Sequence, residues 1–397
     1  MESAQATLSQ AREGVAAARG ALAPQLTVGA SAGRGTQGVS GGTDVVNSSS
    51  VGAALAYSVD AFGATSRRIE QAQALADLQT AQWRGTRLAL IGSTVTQAIA
   101  LASATEQMHA VRDIVAADQR NLELVQLSQA AGKSAGLDVL TAESQLAGDR
   151  ALLPPLQQQA SAARHALAVS SGRAPAEAPA PTFDFATLAL PDELPLTLPS
   201  ELVRRRPDIQ AADAQLQASS AAIGIATAAL YPGLTLNATF SSAAVGNGTL
   251  FTHAQGVWGL AADLLAPVFD GGTLRAQRAA AIDAYAAELG SYRQVVLQAF
   301  AQVADVLHAL EHDAAELAAQ RKALDAAQVT LDLTQQSYQA GQASFLQIIE
   351  AQRLFEEARL GYVKAQAQRY ADSAQLFIAM GGDASAPGPA PIARVAP

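Results

Sequence analysis

The strongest constraint on this chain is that it says nearly the same thing twice. "ALAPQLTVGA" runs from Ala21 to Ala30, and "ALYPGLTLNA" from Ala229 to Ala238, 208 residues later. The same offset places Leu8 on Leu216, Val15 on Ile223, Pro24 on Pro232, Leu26 on Leu234, Gly63 on Gly271 and Arg67 on Arg275. After a slip of one residue, Gly132 falls on Gly341, Leu137 on Leu346, Ala142 on Ala351 and Gly172 on Gly381. A period of roughly 200 residues is far longer than a solenoid unit or a propeller blade, so the pattern predicts two tandem copies of one whole unit. On this reading residues 1–173 form the first repeat, 174–199 a proline-rich linker, 200–383 the second repeat and 384–397 a disordered tail.

Each copy reads as a helix, two strands, a very long helix and a return helix. In the first, Leu26, Val28, Ala30 and then Val51, Ala53, Leu55, Tyr57 and Val59 alternate with small or polar residues, which is a strand period. The second repeats it with Leu234, Leu236, Ala238 and Phe240, then Trp258, Leu260, Ala262 and Leu264. The joining segments "GRGTQGVSGGTDVVNSS" and "SAAVGNGTLFTHAQ" are rich in Gly, Ser, Thr and Asn and predict hairpin loops between strands of roughly ten residues. That length suits a membrane-spanning strand. Four strands cannot close a barrel, so a spanning wall would need two or three copies of the chain.

Between Ala64 and Ala131 there is no proline, and apolar residues recur at threes and fours, as they do again from Thr273 to Ala340. Some 65 helical residues extend roughly 100 Å, which demands lateral packing as a coiled coil. Gly132 and Gly341 suit the left-handed residue that closes a helix. Ser344 and Gln347 then have the spacing of a capping box, whereas Ser134 is followed by Leu137 in the corresponding place. Both hairpin tips would therefore lie one long helix away from the strands.

Composition excludes several classes of function. Without cysteine there is no disulfide, thiolate metal site or thiol nucleophile. A net charge of −9 with no basic face argues against a nucleic-acid partner. No uninterrupted apolar run reaches 18 residues, and no paired acid and base, nucleophile elbow or phosphate loop is apparent, so the chain reads as a non-enzyme with no cofactor and no metal. His308 and His312 have metal-ligand spacing beside Glu311, but a solvated helix face accounts for them better. The "RRR" run before Pro207 reads as a helix-start and interface feature. Met1 aligns with Ile209, whereas the second copy's first helix is expected to start earlier, at Pro199 and Ser200. The first copy thus begins in mid-helix, and an upstream segment with an export signal is expected.

Taken together, "RRRPDIQAADAQL", "SVDAFGATSRR" with its partner "PVFDGGTLRAQ", the tip "GKSAGLDVLTAESQL" and "LLPPLQQQASAARHALAVSSGR" resemble the TolC-like outer-membrane efflux channels, most closely their OprM and NodT branch. The resemblance spans Glu2 to Gly382. It implies a mainly α fold with a membrane β-barrel part: a homotrimer whose four strands per chain complete a twelve-stranded barrel in outer-membrane lipid, continuous with an antiparallel coiled-coil α-barrel in the periplasm. It further implies a periplasmic adaptor (a membrane fusion protein), an inner-membrane pump of the RND type, and passive conduction of drugs, metals or other small solutes. The linker would form an equatorial band. Members of this branch carry a lipid on an N-terminal cysteine, which this sequence lacks.

Carried over residue by residue, the adaptor-binding tips are Gly132, Ser134, Leu137 and Asp138 in the first copy and Gly341, Ser344, Phe345, Leu346 and Gln347 in the second. Asp138 and Glu350 are candidates for an acidic gate. Leu26, Val28, Leu55, Tyr57, Leu236, Phe240, Trp258 and Leu260 would face lipid, with Tyr57, Phe62, Trp258 and Phe269 as an interfacial girdle. The alternative is a soluble coiled-coil scaffold, in which those same strand residues would point into a protein core.

Overall fold

A computed structural model describes residues 1–39, 42–176, 183, 185, 205–245 and 256–382. Nearly all of the linker, the expected helix start at Pro199 and Ser200, and the tail lie outside the described residues. The elements are α1 (Glu2–Gly20), β1 (Gln25–Val39), β2 (Gly42–Val59), α2 (Ala64–Ala130), α3 (Gly136–Arg150), α4 (Leu153–Ser170), α5 (Pro207–Ala228), β3 (Gly233–Val245), β4 (Gly256–Leu265), α6 (Thr273–Gln339) and α7 (Phe345–Ala379). The two long helices, α2 and α6, are both 67 residues. Two compact units cut across the sequence copies: one gathers Met1–Gly85 with Pro207–Val296, the other the described residues of Thr86–Arg206 and Leu297–Pro387.

In the first unit, the strands form one antiparallel sheet in the order β1-β2-β3-β4. The ladder overturns one sequence expectation. Much of the Gly- and Ser-rich stretch expected as a loop is strand, because pairing continues from Gln25↔Ala56 out to Val39↔Gly42. Backbone groups make the ladder, so side-chain composition that favours turns did not prevent it. β1 and β2 reach 15 and 18 residues instead of about ten. Helix α1 buries Leu8 and Val15, and α5 buries Ile209 and a stripe of alanines at Ala214, Ala218 and Ala221. Asp60 caps the start of α2, accepting from Thr65 N–H at 2.8 Å and Ser66 N–H at 2.8 Å. Asp270 does the same for α6 through Gly272 and Leu274 N–H, at 2.9 and 2.7 Å.

The second unit is helical. Leu101, Ala104, Met108 and Val111 of α2 pack on Leu156, Ala160, Ala163 and Leu167 of α4, and both sets step by threes and fours as a coiled-coil seam requires. Val306 and Leu310 of α6 meet Leu376 of α7 and Met380 just beyond it. Helix α2 also contains an 18-residue window with mean hydropathy 1.4, long and apolar enough to cross a membrane by composition; a third of that window is buried. The return helix of the first copy departs from the expected single element: it breaks at Ala151 and Leu152, just before Pro154 and Pro155. Proline lacks the N–H that an interior turn needs. At the same register the second copy has Val363 and Lys364, and α7 runs on unbroken for 35 residues.

Arg206, from the "RRR" run, is 8% exposed and closes the end of α7. Its guanidinium donates to the Ala379 carbonyl at 2.7 Å and to Gln302 Oε1 at 2.9 Å. A cation at a helix C-terminus satisfies an orphan carbonyl and complements the macrodipole. Arg206→Ala is expected to destabilise the chain by about 2 kcal/mol, and Arg206→Lys to recover only part of that, because one ammonium cannot reproduce the guanidinium fork. Denaturant midpoints of the three proteins check both expectations.

Candidate functional site

Among the described residues, two surfaces lack cover from the rest of the chain. The first is a face of the sheet. Partners across an antiparallel ladder project to the same side. The register Leu26↔Leu55↔Ala238↔Leu260 and Val28↔Ala53↔Phe240↔Trp258, with Tyr57↔Leu236, therefore gathers all eight strand residues singled out from sequence on one face. That face is exposed, with Val28 at 76%, Trp258 at 71% and Leu260 at 76%. The opposite face carries Thr27, Ser31, Ser50, Thr239, Asn237 and Asp263, tied by Ser31–Ser50 at 2.8 Å and Asn237 Nδ2 donating to Asp263 at 2.8 Å. Phe62 stacks on Tyr231 with centroids 4.8 Å apart, and Phe269 is almost fully exposed.

The second surface is the pair of helix-hairpin tips. At the end of α2, Gly132 takes φ +72°, and Lys133 N–H reaches back to Ser128 O at 2.8 Å. At the end of α6, Gly341 takes φ +75°, and Gln342 N–H bonds Ser337 O at 2.8 Å. This double closure satisfies carbonyls that a helix end leaves free, and only glycine enters the left-handed region without strain. The Ser344–Gln347 box forms as expected, with Ser344 N–H donating to Gln347 Oε1 at 2.7 Å. In the first copy the box sits one residue later than the sequence suggested: Asp138 accepts from Ala135 N–H at 3.0 Å and from the Ser134 hydroxyl at 2.8 Å. Asp138, the third residue of α3, supplies the carboxylate that was sought at Leu137.

The tips pack on each other through Val125, Ala142, Phe345 and Ile349, with Tyr338 beside them. Phe345 is therefore buried at 7%, its ring packed into that cluster. Leu137 and Leu346 stand out at 72% and 66%, with Leu140 at 63% alongside. Both candidate gate acids already have local partners. Asp138 is the cap just described, and Glu350 lies 2.7 Å from Arg353, whose guanidinium holds the Glu350 carboxyl below the usual carboxylate range. His308 lies 3.8 Å from the exposed Glu311.

Sequence reading missed the buried acids between helices. Asp313 is 7% exposed, and burial together with the neighbouring Asp372 pushes its carboxyl up to about 6. Such a group binds its proton more tightly folded than unfolded. Its stabilising effect is full below the ordinary carboxylate range and is lost as pH rises through about 6. Asp313→Asn is expected to make the thermal midpoint less sensitive to pH between mildly acidic and neutral buffer, with the larger gain over the unmodified chain at neutral pH.

The model of the family described as Outer membrane efflux protein matches residues 1–173 and 198–382. The chain is 35% identical over 341 residues to the pyoverdine export outer membrane protein OpmQ of Pseudomonas aeruginosa, covering 85% of this chain and 71% of that one. To outer membrane protein OprJ of the same organism it is 29% identical over 343 residues, covering 86% and 71%. Among solved structures it is similar to the outer-membrane channel OprN, with TM-score 0.90 at 28% identity over 96% of this chain and 87% of that one. The open state of the Neisseria gonorrhoeae MtrE outer membrane channel gives 0.88 at 27%, over 96% and 85%.

Proposed function

The chain belongs to the outer membrane efflux protein family, and on that premise we propose that three copies join their sheets edge to edge into one barrel that opens the outer membrane for a tripartite pump. Its place is the bacterial outer membrane, its fold is that of the TolC-like channels, and its role is the outer-membrane part of an efflux system. Family members are channels, not enzymes, and we read this chain likewise as a passive conduit. OpmQ is a pyoverdine exporter by its name; for this chain the cargo class is small solutes handed over by the partner pump.

One observation carries the reading: a four-stranded sheet with one apolar, exposed face and two open edges, β1 and β4. In lipid such edges must be paired, and closed barrels begin at about eight strands. Three chains supply twelve. The apolar face, with Leu26, Val28, Leu55, Tyr57, Leu236, Phe240, Trp258 and Leu260, then meets lipid, and the polar face lines the conduit. A soluble scaffold would have to cover that face with its own core, and among the described residues nothing does.

Because the chain has no cysteine, a pair placed on the two edges, Ser31→Cys with Ala261→Cys, reports only contacts between copies. Mild oxidation in outer membranes is expected to yield dimer and trimer bands and no longer ladder. A monomer only, or a product in the soluble fraction, contradicts the channel.

At the tips, Leu137, Leu346, Ser134, Asp138, Ser344 and Gln347 with the two glycines present the adaptor-binding surface, and the two repeats, 1–173 and 200–383, contribute one tip each. Asp138 and Glu350 stay candidates for the gate, now with their local partners counted against a purely electrostatic role. Replacing both exposed leucines, Leu137→Ser with Leu346→Ser, is expected to leave the cross-linked trimer intact while weakening adaptor binding on the order of tenfold, the loss expected for an apolar anchor worth about 1.4 kcal/mol. Pull-down with the purified adaptor and efflux assays in cells read the two halves of that expectation.

A further inference from the structure

Three carboxylates from three helices, Asp118 of α2, Asp149 of α3 and Glu356 of α7, converge inside the helical unit, each offering an oxygen within 4.8 Å of the others. All are nine-tenths buried or more, at 2%, 7% and 6% exposure. Their surroundings do not balance the charge. Among the described residues, Asp118 Oδ2 and Glu356 Oε1 are buried with no hydrogen-bond partner, whereas Asp149 Oδ2 accepts from Gln145 Nε2 at 2.8 Å. The arginines within three residues of the trio have other partners: Arg120 on the Ala116 carbonyl at 3.1 Å, Arg150 on Gln119 at 2.6 Å, Arg353 on Glu350 at 2.7 Å and Arg359 on Asp113 at 2.8 Å. Buried carboxylates so placed are costly unless a proton or a cation is bound.

We propose that this trio is a binding site for a hard divalent cation of the Ca²⁺ type, which ties α2, α3 and α7 together above the tips. Ligand oxygens about 2.3–2.6 Å from a cation lie at most about 5 Å apart across it, which is the spacing found. All donors are oxygens, the set that suits Ca²⁺, Mg²⁺ or Mn²⁺ and not softer metals. A ready-made outer shell is present. Gln352 donates its amide to Asp118 Oδ1, while its own oxygen accepts from Asn121 Nδ2 at 2.6 Å, so the carboxylate is held in place. One member of the trio, Glu356, also lines a cavity of about 970 Å³ with Asn121 and Gln352, and the wall of that cavity carries Arg120, Lys133 and Arg359 as well. Burial, then the neighbouring acids, pushes Asp118 up to about 8, and burial with the Asp149 charge pushes Glu356 to about 7. A cation would displace those protons.

The full chain, purified in detergent and stripped with a chelator, is titrated with Mn²⁺ followed by the paramagnetic signal of the free ion. One Mn²⁺ per chain is expected, displaced by Ca²⁺, together with a rise in thermal midpoint on adding Ca²⁺. Asp118→Asn with Glu356→Gln is expected to weaken Mn²⁺ binding at least tenfold and abolish the Ca²⁺ response. That pair removes buried charge without changing shape, so it should melt no lower than the stripped parent, which separates ligand loss from unfolding. Ser128→Ala, on the cavity but outside the trio, should bind as the parent does. Absence of saturable Mn²⁺ binding in the parent, or undiminished binding in the double variant, overturns the site and leaves shared protons as its occupant.

Discussion

Backbone groups along the two outer strands need hydrogen-bond partners, and where they find them decides what the molecule is. Within β1 to β4 the ladder is continuous, from Gln25↔Ala56 through Val59↔Leu234 to Gly233↔Leu265. Beyond it, the free edges of β1 and β4 hold a row of donors and acceptors each. In water those groups would be solvated and the apolar face would be an aggregation hazard. In lipid neither edge can stay open, whereas the apolar face becomes an asset. The same sheet is thus a liability in one solvent and half-finished architecture in the other, which further copies would complete on the proposed reading.

The helical unit solves a different problem. Alanine-rich seams such as Ala104, Ala160 and Ala163 bury little area per residue, so the hydrophobic return along each helix is small. Specific polar contacts take up part of the task. Asn121, Gln352 and Asp118 form a chain between α2 and α7, and Arg206 fastens the end of α7. A coiled coil built on small residues can slide by a turn at little cost; buried polar pairs fix its register, at the expense of stability. The acids at Asp118, Asp149, Glu356 and Asp313 belong to this logic, since each is paid for only if its partner, proton or cation is in place.

Much of this was legible in the sequence because it is carried by local rules. Alternation identified the strands, and the pairing register put Leu26, Leu55, Phe240 and Trp258 on one face as the period of two requires. Glycines at Gly132 and Gly341 marked the helix ends through a backbone conformation that other residues avoid. Three features escaped for physical reasons. The extension of β1 to Val39 rests on ladder bonds that Gly and Ser do not advertise. The box at Asp138 was shifted because the cap, Ala135, has no polar side chain to announce it, so only the returning carboxylate reveals the motif. The acid trio could not be found from spacing at all, since Asp118, Asp149 and Glu356 come from three helices and are ordinary surface-type residues in any one of them.

The two tips, read from the sequence as copies of one unit, are alike in closure and unlike in detail. Both end in the same glycine closure, and both share a single core of Val125, Ala142, Phe345 and Ile349. Their caps differ in chemistry: a carboxylate at Asp138, a neutral amide at Gln347. The return helices differ too, one broken before Pro154 and Pro155, the other continuous through Val363. In the proposed ring of three chains those differences would alternate, giving six hairpins of two kinds. On that ring, a partner engaging neighbouring hairpins would meet a carboxylate cap and an amide cap in turn, an asymmetry that would set its register.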